Sequence, residues 1–143
     1  MSKFASFMKD RKKVKENEKH AVTRFLCDEK GNPLLWEFRH ITSKENEELR
    51  EGCMVEVPVT GKPGMYRPRL RTNEYIRRMI TASVVFPDLY DAGLQDSYGV
   101  KTPEELLQAM VDDPGEYSDL AAYVQKLQGF DVSFEEKVEE AKN

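Results

Sequence analysis

The sequence predicts an α+β fold, with an N-terminal β-hairpin or small antiparallel sheet followed by a mostly helical C-terminal half. Two observations support this prediction. Alternating apolar and polar residues, interrupted by turn-forming residues, occupy the chain before residue 60, whereas apolar residues at helical spacing follow residue 72. Strands and helices that are segregated along a chain are typical of the α+β class.

The chain is short and polar, which limits the classes of protein it can belong to. Its 143 residues suit a single domain, and 39% hydrophobic residues suffice for a modest core. No apolar run approaches the ~20 residues that a membrane-spanning helix needs. Residues 1–10 also lack the apolar centre of a secretory signal. We therefore expect a cytoplasmic protein without membrane contact.

The distribution of charge predicts an arm and a domain. Residues 1–24 carry eight Lys or Arg and three Asp or Glu, a net charge of +5, whereas residues 103–143 carry three Lys and eleven Asp or Glu, a net charge of −8. We expect residues 1–19 to form a flexible charged arm and residues 20–143 to form a single α+β domain. The arm has too little apolar surface to fold alone, so we expect it to contact a partner and to be dispensable for folding.

A β-hairpin is predicted directly after the arm. Residues 22–27 are typical of a strand, a turn rich in Gly, Asn and Pro follows, and residues 34–41 alternate as the return strand. Trp36, Phe38 and His40 share one face of that return strand. We expect Trp36, the single tryptophan, to anchor the hairpin to the helical half.

Between the hairpin and the helical half, the sequence predicts a short helix, a strand and a loop. Thr42 and Glu45 have the spacing of a capping box, which indicates a helix ending near Cys53. Residues 54–59 alternate as a short strand. The two glycines and two prolines of residues 60–68 indicate a loop.

Several helices are predicted after residue 72. Apolar residues at helical spacing over residues 75–84 predict the first, which Pro87 ends. Asp88 is expected to cap a short helix that Gly99 ends. Three later helices begin at an N-cap followed by Pro, by Glu or by both: Thr102, Asp113 and Ser133.

No catalytic, cofactor or metal site is predicted. His20 and His40, the only histidines, have no cysteine or acidic ligand at metal-binding spacing. Cys27 and Cys53 match no zinc pattern, and we expect both to be reduced thiols in or near the core. An enzyme is therefore not expected.

The segment over residues 66–78 is basic and contains interleaved tyrosines. Such a mixture can contact phosphates and stack on bases. The second half of the segment belongs to the predicted amphipathic helix, however, with Tyr75 and Ile76 facing the core. The net charge of −4 also opposes nucleic-acid binding, so nucleic acid is not expected as the partner.

A candidate partner-binding surface lies within residues 87–100. Its residues follow one another without a clear apolar stripe: Leu94, Gln95, Asp96, Ser97 and Tyr98. Core packing alone does not explain such a run. The competing interpretation is that Leu94 and Tyr98 pack while Gly99 ends the helix.

Four stretches of the sequence resemble the XkdN-like family of phage and prophage tail assembly chaperones. They are Asn-Pro-Leu-Leu-Trp-Glu-Phe-Arg at 32–39, residues 86–100, Pro-Gly-Glu-Tyr-Ser-Asp-Leu at 114–120 and Glu-Glu-Ala-Lys-Asn at 139–143. Leu-Gln-Asp-Ser-Tyr-Gly-Val, within the second stretch, is the most specific. The resemblance covers most of the chain from the hairpin onward, and the arm adds little to it.

The resemblance implies a non-enzymatic chaperone of phage tail assembly, without a cofactor. The implied partners are the tail tape-measure protein, which such a chaperone keeps soluble, and the tail-tube subunits, which it helps to recruit. Self-association is left open. Two alternatives remain: a structural component of the phage tail, and a small nucleic-acid-binding regulator.

Overall fold

The computed structural model describes residues 2–130. Its first elements are two single 3₁₀ turns, Ala5–Phe7 and Lys9–Arg11, in a segment whose side chains are almost all exposed. The helix predicted from Ser133 lies outside the described residues.

A three-stranded antiparallel sheet forms the centre of the N-terminal half. Strands β1 (Glu18–Ala21) and β5 (Val84–Phe86) flank β2 (Leu35–Phe38). The pairing of β2 with β5 shifts register between Glu37 and Phe38. Together with the helices that follow, this sheet confirms the predicted α+β class.

The strand predicted over residues 22–27 is wrong, because the pairing strand lies just before it and begins at Glu18. Residues 22–34 instead form a connection that contains one isolated bridge, between Cys27 and Pro33. Its backbone groups bond to one another, as the N–H of Leu34 does to the carbonyl of Leu26 at 2.9 Å, and to side chains, rather than to a neighbouring strand. The N–H of Arg24, for example, donates to the Glu116 carboxylate at 2.9 Å.

Helix α1 (Ser43–Glu51) and a second antiparallel hairpin come next, formed by β3 (Met54–Pro58) and β4 (Tyr66–Leu70). The capping box of α1 and the strand over residues 54–59 are thus confirmed. The loop predicted to extend to residue 68 is wrong in its second part. Pro68 lies inside β4, and a two-stranded hairpin tolerates it because both strands are edge strands.

Up to residue 130, the C-terminal half contains four further helices: α2 (Thr72–Ser83), α3 (Ala92–Ser97), α4 (Pro103–Met110) and α5 (Pro114–Leu127). The predicted caps Thr102 and Asp113 are confirmed, since each side chain accepts a hydrogen bond from the backbone N–H three residues later. The predicted cap of α3 is wrong, because Asp91 caps this helix in place of Asp88.

Helix α2 ends earlier than its apolar pattern predicts. The chain becomes extended at Val84 and enters β5, three residues before Pro87. A short, fully apolar segment next to a helix has no periodicity of its own, so the sequence did not distinguish this strand from a last helical turn.

One core lies between the three-stranded sheet and the helices. Its most deeply buried side chains come from β2, α2, α4 and α5: Trp36, Phe38, Met79, Ile80, Leu106, Leu107, Leu120 and Val124. Strand β2 contributes both aromatic side chains of this set, Trp36 and Phe38. The expected position of Trp36, between the hairpin and the helices, is confirmed.

Candidate functional site

The side chains at the start of α3 are largely engaged in holding their own loop. Asp91 Oδ2 accepts a hydrogen bond from the N–H of Leu94 at 2.8 Å. The Gln95 side-chain amide donates to the carbonyl oxygen of Leu89 at 2.8 Å, and the Ser97 hydroxyl donates to that of Leu94 at 2.7 Å. Two of the five candidate binding residues, Gln95 and Ser97, therefore have partners within the protein.

The end of α3 is a Schellman motif. The N–H groups of Gly99 and Val100 donate to the carbonyls of Asp96 and Gln95 at 3.0 and 3.1 Å. Gly99 has a φ of +69°, which only glycine adopts without strain. This motif confirms the predicted role of Gly99.

The outward side of α3 is formed by Asp96 and Tyr98. Both are exposed, whereas Leu94 is half-buried and packs against the core. Tyr90, in the loop before the helix, is 72% exposed. The structure thus divides the candidate residues into a structural set and an outward-facing set, and partner binding by the outward-facing Asp96 and Tyr98 stays a prediction.

A second exposed surface lies on the outer face of the three-stranded sheet, and the sequence did not assign it. Leu35 and Phe86 are 54% and 64% exposed. Phe86 pairs with Glu37, two residues beyond Leu35, so both apolar side chains share this face. The signal in the sequence was the run Leu34, Leu35 and Trp36, because apolar residues on both sides of a strand are typical of one covered on both faces.

The ion pair between Arg39 and Glu45 serves the fold. Arg39 and Glu45 approach to 2.6 Å, and the Arg39 Nε also donates to the carbonyl of Ala82 at 2.9 Å. Hydrogen bonds from Arg39 and from the backbone N–H of Thr42 lower the pKa of Glu45 from its usual 4.5 to about 2. The pair ties the start of α1 to the end of α2.

The histidines and cysteines are dispersed. His20 stacks on Tyr123 with ring centroids 3.9 Å apart, and burial together with the Glu18 carboxylate raises the pKa of Tyr123 to about 12. Cys53 is buried, but Cys27 is exposed, so the expectation that both thiols are in or near the core is wrong for Cys27. Over residues 2–130, no three His, Cys, Asp or Glu side chains are grouped as a metal site requires.

None of the helices described over residues 2–130 has the length and apolar character that crossing a membrane requires.

Comparison with known proteins identifies the class. The model of the phage XkdN-like tail assembly chaperone protein family matches residues 4–142. The chain therefore belongs to this family of phage tail assembly chaperones. Assisting assembly is a non-enzymatic role, exercised on phage tail proteins.

Individual relatives agree with this assignment. The phage-like element PBSX protein XkdN of Bacillus subtilis (strain 168) is 26% identical over 139 residues, which cover 96% of this chain and 93% of that protein. The uncharacterized protein YqbN of the same organism is 24% identical over 122 residues, covering 85% and 80%. The crystal structure of the protein yqbn has the same fold, with a TM-score of 0.72, 19% identity and coverage of 91% and 98%.

Proposed function

We propose that this protein binds the tape-measure protein of its phage tail in the cytoplasm, keeps it soluble and helps to bring tail-tube subunits to it. The family match over residues 4–142 carries the proposal, because it makes phage tail proteins the class of partner. Among tail proteins, the tape-measure protein is a long helical chain with apolar seams, and it therefore has the greatest need of a chaperone.

The surface of the described residues supports this partner. Apolar side chains are exposed at several separate places rather than gathered in one deep cleft: on the outer sheet face, in the loop before α3 and in the arm. A long partner with repeated seams is bound best by many weak contacts, because linked weak contacts add to a high overall affinity.

Co-expression tests the proposal directly. The tape-measure protein of the same phage is expressed alone and together with this chain, and the soluble fraction is measured after centrifugation. We expect the tape-measure protein to be soluble only in the presence of this chain and to co-purify with it. Unchanged solubility, or the presence of this chain as a constituent of purified tails, contradicts the proposal.

A further inference from the structure

An open groove lies between the β3–β4 hairpin and the start of α2. It has a volume of about 610 Å³. Residues from both elements line it, among them Val55, Val57, Arg69, Arg71, Glu74 and Arg77. We call it the Arg–Val groove. Its basic side chains belong to the segment over residues 66–78, to which the chaperone role assigns no task, and Arg67 lies beside the groove on the hairpin face that carries Arg69.

The register of the hairpin places valines and arginines side by side on one face. Val55 pairs with Arg69, and Val57 pairs with Arg67. Paired residues of an antiparallel hairpin project from the same face. The two valines are half-buried and the two arginines are exposed. One row of the face is therefore apolar and the adjacent row is cationic.

The positive charge of the groove is only partly neutralised within the protein. Glu74 accepts hydrogen bonds from Arg71 at 2.9 Å and from Arg78 at 2.6 Å, and these two lower its pKa. Over residues 2–130, no carboxylate lies within salt-bridge distance of Arg67, Arg69 or Arg77.

Within the part of the chain that the structure describes, Arg77 also lacks a hydrogen-bond acceptor for one of its nitrogens. Its Nε is buried and has no hydrogen-bond partner among the described residues. A buried donor without an acceptor is unfavourable, and a charged donor more so. The adjacent start of α2 also lacks a side-chain cap, since Arg71 occupies the N-cap position without capping the helix. The uncapped start of α2 favours a carboxylate supplied from outside, because the first turn of a helix presents free N–H groups and the positive end of the helix dipole.

Aromatic placement distinguishes a protein partner from a nucleic acid. Bases bound beside arginines are held by stacking on aromatic side chains. Tyr66 pairs with Pro58 on the opposite face of the hairpin, away from the valines and arginines. Tyr75 is half-buried, and its hydroxyl donates to the Asn46 side chain. The groove thus offers apolar and cationic rows without an aromatic surface.

We infer that the Arg–Val groove binds an acidic amphipathic segment of the tape-measure protein, with apolar side chains on the valines and carboxylates on the arginines. This inference rests on the proposed function, because that function supplies the partner. The cationic row gives selectivity for acidic segments and speeds their association, and the valines contribute apolar burial.

Charge reversal on the exposed strand tests the inference. The test variant is Arg67→Glu with Arg69→Glu, and a neutral version, Arg67→Gln with Arg69→Gln, guards against a folding defect. The matched control is Lys30→Glu with Lys44→Glu, which changes the charge equally at two exposed positions outside the groove. The probes are labelled overlapping peptides that tile the tape-measure protein, with binding measured by fluorescence anisotropy at low and high salt.

We expect the wild-type protein to prefer acidic, amphipathic peptides and to bind them less tightly at high salt. The Glu variant should bind them about tenfold more weakly, the Gln variant should lie between it and wild type, and the control should match wild type. Equal binding by all four proteins overturns the inference. Displacement of the peptides by a generic oligonucleotide also overturns it, because the groove would then bind nucleic acid. A wild-type dimer that dissociates in the Glu variant overturns it too, because the groove would then bind a second copy of the chain.

The same variants separate this inference from the proposed function. If wild type does not solubilise the tape-measure protein in co-expression, the proposed function fails. If wild type solubilises it and both the Glu variant and the control do so equally well, only the assignment of the groove fails.

Discussion

Trp36 is the side chain whose burial links the sheet to the helices, at 2% exposure within the core. We expect Trp36→Ala to lower the free energy of unfolding by ~3–5 kcal/mol, because a large buried side chain is replaced by a cavity. Denaturant unfolding measures this loss. Phe86→Ala, which truncates a 64% exposed aromatic side chain of the same sheet, is the control, and its cost should stay below about 1 kcal/mol.

The fluorescence of the native protein gives an independent check on Trp36. A buried indole emits at shorter wavelength than one in water, and unfolding should shift the emission to longer wavelength. Native emission already at the wavelength typical of water would contradict the burial.

Glu45 makes the stability depend on acid pH. Its pKa in the folded protein is about 2, against a usual value of 4.5. The folded state therefore binds this proton less readily, so the stabilisation is complete above pH 4.5 and is lost as the pH falls toward about 2. We expect Glu45→Gln to be less stable than wild type at neutral pH and to lose less stability over that window.

Thermal unfolding followed by circular dichroism at several pH values measures this difference. Glu47→Gln is the matched control, since Glu47 is exposed on the same helix and forms no salt bridge with the described residues. Identical acid profiles for wild type and Glu45→Gln would contradict the role of the Arg39–Glu45 pair.

The residues that sequence could predict are those whose partners are close along the chain. The side chains of Thr42, Thr102 and Asp113 accept hydrogen bonds from backbone N–H groups three residues later. Such caps can therefore be predicted from residue spacing in the sequence. Glu116 and Gln128 bind groups about 90 residues away. No local pattern predicts such a contact, because a Glu or Gln that bonds to a distant residue cannot be distinguished in the sequence from one that faces solvent.

At the scale of elements, α3 separates structural from outward-facing side chains. We expect Asp96→Lys with Tyr98→Ala to reduce solubilisation of the tape-measure protein while the melting temperature stays near that of wild type. Gln95→Ala should instead lower the melting temperature and leave solubilisation of the tape-measure protein unchanged at temperatures where the variant is folded. The substitution removes the hydrogen bond to the Leu89 carbonyl, which costs about 1 kcal/mol.

Co-expression and thermal unfolding of the two variants provide the comparison. If both variants solubilise the tape-measure protein as well as wild type does, α3 is a purely structural element. That outcome would remove the candidate binding surface and leave the family assignment intact.

The elements that the sequence missed are short strands whose patterns are ambiguous. β5 is three residues long and directly follows a helix with a continuous apolar stripe. β4 contains a proline and three basic or aromatic residues, a composition more typical of a loop. The Arg–Val groove depends on the pairing of β4 with β3, so its basic residues were visible in the sequence but their alignment with the valines was not.

At the scale of the molecule, the expected arm over residues 1–19 forms hydrogen bonds to the rest of the described chain only near its end. Its first hydrogen bonds to β2 and the residues after it are made by Glu16, whose carbonyl lies 3.2 Å from His40 Nε2, and by Asn17, which donates to Glu37 at 3.0 Å. Before them, the side chains are almost entirely exposed. We expect deletion of residues 2–14 to change the melting temperature by only a few degrees and to weaken solubilisation of the tape-measure protein.

Extending the deletion through Ala21 provides the contrast, because it removes β1 and the stacking of His20 on Tyr123. This longer deletion should lower the melting temperature strongly. If the short deletion already prevents folding, the arm is part of the domain.

The two halves of the molecule are joined through α5 at both of its ends. At its start, Glu116 accepts hydrogen bonds from Thr23 and Arg24. Just beyond its end, the Gln128 side chain bonds to the backbone of Ile41 and Arg39 and to the Ser83 hydroxyl. Fraying of α5 from either terminus therefore breaks hydrogen bonds to the N-terminal half.

Because α5 is hydrogen-bonded to the N-terminal half at both ends, native-state hydrogen exchange should show that the sheet and α5 open together. The slowest amides of β2 and of α5 should open with the same free energy, since neither element can open while the other stays closed. Gln128→Ala should lower the protection of the last turn of α5 and of Ile41 together. Separate opening energies for the two elements in the wild-type protein would mean that the sheet and the helices are independent units, each able to yield to a protease while the other remains folded.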